Sequence, residues 1–185
     1  RGAESSSARM SQKLLEALNF RKDNYYIGLP CSRCHSSLYT EAVNHISPQD
    51  DLAMSNVLSA NTLINSNLEK TIEVLKECMG EKRIVIVTNS KNMANIAQLE
   101  QLNIKPYRVI EVAEKYAFET DYERIKDEWK TLQNGDIVIC LCGPLGRVLC
   151  YEWFNANPTL TCLELGSMFD PLLQSRSYIY HTGNH

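Results

Sequence analysis

The chain has 185 residues, 44% of them hydrophobic and 22% charged, with a formal net charge of −3. That length holds one domain with a sizeable core, and the mild negative charge offers no broad basic surface for nucleic acid or an anionic membrane. No apolar run approaches the ~18 residues that span a bilayer, and the first ten residues are polar and small, without a secretory pattern.

Arg1 to Ser7 reads as a loop ending in helix-capping serines. Met10, Leu14, Ala17 and Leu18 line one face of a helix that ends about Asn19. Tyr25–Leu29 is a short strand stopped by Pro30. Residues 31–53 read as irregular, with a short helix near Tyr39–Asn44, and Asn56–Ser59 is a weaker strand. Asn67–Met79 is the clearest helix, because Leu68, Ile72, Leu75 and Met79 share a face and Gly80 follows as a stop. Arg83–Thr88 is near-continuously apolar, the pattern of a parallel strand covered on both faces. Asn89-Ser90 then caps a helix carrying Met93, Ile96, Leu99 and Leu102. Tyr107–Val112 is the next strand, and Thr120-x-x-Glu123 reads as a capping box for a helix carrying Tyr122, Ile125, Trp129 and Leu132. Asp136–Cys142 is a buried strand that runs into Gly143-Pro-Leu-Gly146 and a helix through Phe154. Leu160–Leu165 is the last strand and ends in Gly166-Ser-Met-Phe-Asp-Pro171.

Strand and helix alternate from residue 83 onward. The expected fold is therefore α/β: a Rossmann-like, mostly parallel sheet with helices on both faces, as a single domain over residues 1–185. A chain that begins with Arg1 rather than Met reads as a domain cut from a longer protein, whose other domains would be partners. Cys78, Cys140, Cys142, Cys150 and Cys162 fall in expected helices or core strands, as small buried hydrophobes do in a reducing compartment, so the expected location is cytoplasmic.

The most informative stretch is the strand that feeds Gly143-Pro144-Leu145-Gly146. A strand, a glycine turn and a helix start present free backbone N–H groups at a positive helix end, where open α/β sheets bind phosphate. Pro144 suits the first helical position, the glycines permit close approach of a ligand, and Arg147 adds a cation. An ordinary tight turn explains the same four residues, since the third glycine of the dinucleotide fingerprint is missing. Glu164 lies about 20 positions on, where a Rossmann-like site holds a ribose hydroxyl. Gly166, Ser167 and Asp170 come next at the same sheet edge; Asp170 either binds sugar hydroxyls, acts as a base or caps a turn. Thr88-Asn89-Ser90 is a second strand end whose amide and hydroxyl either meet a ligand or only cap a helix. Asn61 and Asn65 form a further polar pair, and Arg176 and His181 either close over an anion or belong to a frayed end. Cys31-x-x-Cys34-His35 lacks the paired spacing of about four zinc ligands and the helix that accompanies a redox pair, so it reads as a packed loop.

Taken in order, Tyr26–Cys31, Asn61–Asn67, Ile84–Asn89, Cys142–Tyr151 and Glu164–Asp170 resemble the GT-D-fold glycosyltransferases, a family first noted as a domain of unknown function. The resemblance implies a hexosyltransferase-type enzyme. It would move a sugar from a nucleotide diphosphate donor, UDP- or GDP-linked, to a hydroxyl of a glycan or glycopeptide. It implies donor contacts from Gly143, Pro144, Leu145, Gly146, Arg147, Asn61, Asn65, Asn89, Ser90, Gly166, Ser167, Arg176 and His181. Asp170 and Glu164 would be the catalytic carboxylates, with ribose holder and base not separable in the sequence. The family's N-terminal Asp-x-Glu motif helps hold a divalent cation, Mn2+ or Mg2+; here only Glu4 matches, Gly2 standing at the first acid. The alternative is a phosphosugar-binding or interaction domain without transfer chemistry.

Overall fold

The computed structural model describes residues 5–29, 36–46, 57–59 and 68–176. Helix α1 (Ser6–Asn19) starts at Ser5, whose side chain accepts from the Ala8 N–H at 3.2 Å. Strands β1 (Ile27–Leu29) and β2 (Val57–Ser59) pair in parallel, with α2 (Ser36–His45) between them in sequence. α2 is longer than the helix expected near Tyr39–Asn44. Helix α3 (Leu68–Met79) ends at Gly80, which takes a φ of +46°.

The main sheet has four strands: β3 (Ile84–Asn89), β4 (Arg108–Val112), β5 (Ile137–Leu141) and β6 (Thr161–Glu164). Their order is β4-β3-β5-β6, and every pair is parallel. Because side chains alternate along a strand, the apolar runs in β3 and β5 supply both faces. Val85, Val87, Val138 and Cys140 pack toward α1, α5 (Ala117–Ile125) and α6 (Pro144–Ala156), around Trp153. Ile84, Ile86, Ile137 and Ile139 pack toward α3 and a short segment carrying Met168, Phe169 and Leu173. The result is the expected α/β architecture, a parallel sheet between two helical layers. No described helix is long and apolar enough to cross a membrane.

Two local expectations change. After β3, one helix was expected as far as Leu102. The chain instead makes α4 (Ser90–Met93) and then a 3-10 helix, Ile96–Leu102. The asparagines explain the break. Asn89 caps α4 by accepting from the Asn92 N–H, the Asn92 side chain bonds Thr88, and the Asn95 side chain donates to the Leu173 carbonyl at 2.8 Å. Such side-chain bonds compete with a continuing helix. The capping box at Thr120 and Glu123 also does not form. α5 begins three residues earlier, Thr120 donates back to the Tyr116 carbonyl at 3.1 Å, and Glu123 pairs with Arg9 and Lys126. Trp129 falls in a separate 3-10 turn, Glu128–Thr131.

Candidate functional site

From β3 the chain moves outward to β4, then crosses to β5 on the other side of β3 and continues to β6. The direction of winding reverses between β3 and β5. In open α/β sheets the crevice beyond the carboxyl ends of those two strands is where ligands bind. β3 ends at Asn89 and β5 runs out into Gly143, with Thr88 paired to Leu141 across the gap. Glu164 ends β6, in register with Cys140 of β5. The residues marked in the sequence as Asn89, Ser90, Gly143–Arg147 and Glu164 therefore come to one edge.

Gly143 carries the turn. Its φ of 62° and ψ of −136° lie where only glycine is at ease. A Cβ placed there would meet nothing within 4 Å, so the backbone faces open space. As the N-cap of α6 it brings no side-chain cap, and Pro144 occupies the first turn, as expected. Pro144 has no N–H, so the Leu145 and Gly146 N–H groups are the ones left without an intrahelical acceptor at the positive dipole end of this 13-residue helix. Gly146 has a different task. A Cβ there would come within 2.9 Å of Cys140 Cβ and 3.3 Å of Cys142 Sγ. It lets α6 cross directly on β5, the role that the last glycine of a dinucleotide fingerprint performs. Leu145 is buried in the core beneath the turn and contributes packing.

Glu164 is turned back over this helix start. Oε1 accepts from the Gly166 N–H at 3.0 Å, and Oε2 lies 3.5 Å from the Arg147 guanidinium. Burial pushes its carboxyl above the ordinary glutamate range, while Arg147 and the Gly166 N–H pull the other way and only partly offset it. Arg147 itself is 60% exposed. Ser167 accepts the Asp170 N–H through its carbonyl at 3.0 Å in the loop beyond Glu164.

Asp170 opens a short helix, α7 (Asp170–Leu173), and is buried. Its Oδ1 is 3.4 Å from Gln174 Nε2, which also donates to Asn92 Oδ1 at 2.7 Å. Asn92 in turn donates to Thr88 Oγ1 at 2.9 Å. This polar chain sets Asp170 at the β3 end of the edge, whereas Glu164 sits at the β6 end. Asn92 and Gln174 escaped the sequence reading. The fold rather than a local spacing brings them together: Thr88 belongs to β3, and Gln174 follows α7. Arg176 donates its N–H to the Asp170 carbonyl, and its side chain is exposed. Asn61, Asn65, His181, Glu4, Cys31, Cys34 and His35 lie outside the described residues.

Among the described residues no three His, Cys, Asp or Glu side chains converge as metal ligands. Both Glu164 oxygens already have partners, one of them a cation. A hollow of about 520 Å³ lies elsewhere, and its described lining comes from one face of α2, from Ser36 to His45. Among the described residues it lacks the convergence of separate elements that marks the strand-end edge.

Two solved structures share this architecture, each covering 92% of this chain and 68% of their own, at TM-scores of 0.65 and 0.60. The fold is that of the domain of unknown function 1792. That domain is described as highly conserved and as having a distinct glycosyltransferase fold; the second structure is its selenomethionine form. Identity is 15% in both cases, so the likeness is one of fold. No family model and no curated protein matches the sequence.

Proposed function

We propose that the protein is a glycosyltransferase that moves a hexose from a nucleoside diphosphate sugar to a hydroxyl of a glycan or glycopeptide. The observation that carries this reading is Gly143: an open, positive-φ turn at the start of α6, at the winding reversal of a sheet with a glycosyltransferase fold. In this reading the donor diphosphate rests on the leading amides of α6, and Arg147 swings from Glu164 to the phosphates. Glu164, on the neighbouring strand end, accepts from the ribose hydroxyls, with Gly166 holding its other oxygen. Asn89, Ser90 and Ser167 supply further polar contacts along the edge, and Asn61, Asn65, Arg176 and His181 belong to the same proposed donor set.

Placing the ribose toward β6 leaves the sugar toward β3, where Asp170 lies. Asp170 is then the base. In an inverting displacement it takes the acceptor hydroxyl proton as the acceptor oxygen bonds the anomeric carbon. The bond from that carbon to the phosphate oxygen breaks, and the nucleoside diphosphate leaves with the electron pair. Backbone amides and Arg147 stabilise the charge that develops on it. A divalent cation held with the help of Glu4 is part of the proposal only as a condition to vary.

Thermal unfolding with UDP, GDP and simple sugar phosphates, each with and without Mn2+, tests the reading. A nucleoside diphosphate is expected to raise Tm; at a hundredfold excess over Kd the gain is about 2.7 kcal/mol. Stabilisation by sugar phosphates alone would instead favour the phosphosugar-binding alternative, and stabilisation by none would remove both.

A further inference from the structure

Tyr116 is the most exposed large hydrophobic residue among those described, at 76%. It is also held in a conformation that a bulky residue avoids, with φ at 57° and ψ at 31°. The loop that carries it is fastened at both sides. The Ala113 N–H donates to Asp121 Oδ2 at 2.8 Å, Thr120 Oγ1 bonds that same oxygen at 2.9 Å, and the Tyr116 carbonyl accepts from the Thr120 N–H at 3.0 Å. The ring stacks on no aromatic and under no cation among the described residues. The left-handed backbone opens α5 through the bond to Thr120, and the ring it displays to solvent is left over for another use.

Its place on the sheet gives the ring a use. Tyr116 lies just beyond β4, whose last residue, Val112, is in register with Asn89 of β3. Along the carboxyl edge the order is therefore Tyr116 beyond β4, Asn89 on β3, Gly143 on β5 and Glu164 on β6. With the diphosphate at β5 and the ribose toward β6, the transferred sugar extends over β3. Two strand spacings, about 9.5 Å, separate β5 from β4, which leaves the next place along the edge for the acceptor. Sugar rings present flat C–H faces, and exposed tyrosine offers a rigid apolar face with a polar tip. We propose that Tyr116 is the platform on which the acceptor sugar stacks. This rests on the glycosyltransferase reading and adds the acceptor subsite to it.

The test uses labelled whole protein on a printed array of bacterial and mammalian glycans, with UDP saturating. Wild type is expected to bind a subset of glycans. Tyr116→Ala should weaken that binding about tenfold or more, and Tyr116→Phe should largely keep it. Tyr107→Ala is the control, because Tyr107 is 63% exposed but lies before β4, at the opposite end of the strands. It should bind as wild type does. Tyr116→Gly should lose glycan binding yet raise Tm, since glycine adopts φ 57° without strain. No glycan binding by wild type, undiminished binding by Tyr116→Ala, or a lower Tm for Tyr116→Gly overturns the assignment. The UDP-induced Tm shift is measured on the same samples. If it is present in wild type and Tyr116→Ala while glycan binding is unaffected, only the acceptor subsite falls; if it is absent from wild type, the donor reading falls.

Discussion

At the scale of single residues, two glycines in one turn serve different ends. Gly143 needs its backbone angles and has free space around it; Gly146 has ordinary helical geometry and no space at all. Gly143→Ala should cost about 1–3 kcal/mol of backbone strain and shrink the nucleotide-induced Tm shift. Gly146→Ala should cost a similar ~1–3 kcal/mol through overpacking against Cys140, visible in denaturant unfolding without any ligand. The two carboxylates separate in the same way. Asp170→Asn keeps the bond to Gln174 and should abolish transfer while leaving UDP binding intact. Glu164→Gln should weaken UDP binding, and it carries a pH signature. Burial raises the Glu164 carboxyl above its ordinary value of 4.5 in the folded state. Folding therefore favours the protonated form, so this group's contribution to stability is full below about pH 4.5 and declines as pH rises through the folded value. The Tm of Glu164→Gln relative to wild type should climb as pH rises above about 4.5; a flat difference would show that Glu164 is not desolvated.

At the scale of elements, the site is assembled by the turns and caps that terminate the strands. β3 ends in an asparagine cap, β4 in a strained tyrosine loop, β5 in a glycine turn and β6 in a pinned glutamate. The short helices α4 and α7 bury few side chains and are tied by polar bonds instead. Asn92→Ala would strip partners from the buried Thr88 hydroxyl and from Gln174, costing about 1–3 kcal/mol, measurable as a lower unfolding midpoint. Strands were legible in the sequence because a two-sided parallel sheet writes long apolar runs, as in Ile84–Val87 and Ile137–Leu141. The start of α6 was legible because Gly-Pro is punctuation at a helix start. The extents of the helices after β3 and β4 were not, although the Asn89 cap and the Tyr122–Ile125 face were. Asn92 and Asn95 take side-chain partners from far along the chain, Gln174 and Leu173, which the local sequence does not show. Thr120 and Glu123 have a capping-box spacing, yet α5 has already begun at Ala117. Tyr116 gave no signal, since a lone tyrosine after a strand does not reveal its backbone angles.

At the scale of the whole molecule, a fold shared at 15% identity is a matter of pattern: which strands are buried on both faces, and where the winding reverses. That reversal, between β3 and β5, gathers candidate residues from well-separated parts of the chain to one edge, and it gives them an order along the sheet. In the proposed reading the edge holds a nucleoside diphosphate with its phosphates on the α6 start. A crystal structure of the protein soaked with UDP and Mn2+ tests it most directly. Diphosphate density is expected beside the Gly143–Gly146 turn, with Arg147 turned away from Glu164 toward it and the ribose next to Glu164. Ordered UDP at any other place on the protein, or phosphates facing Glu164 with the ribose toward β3, would contradict it.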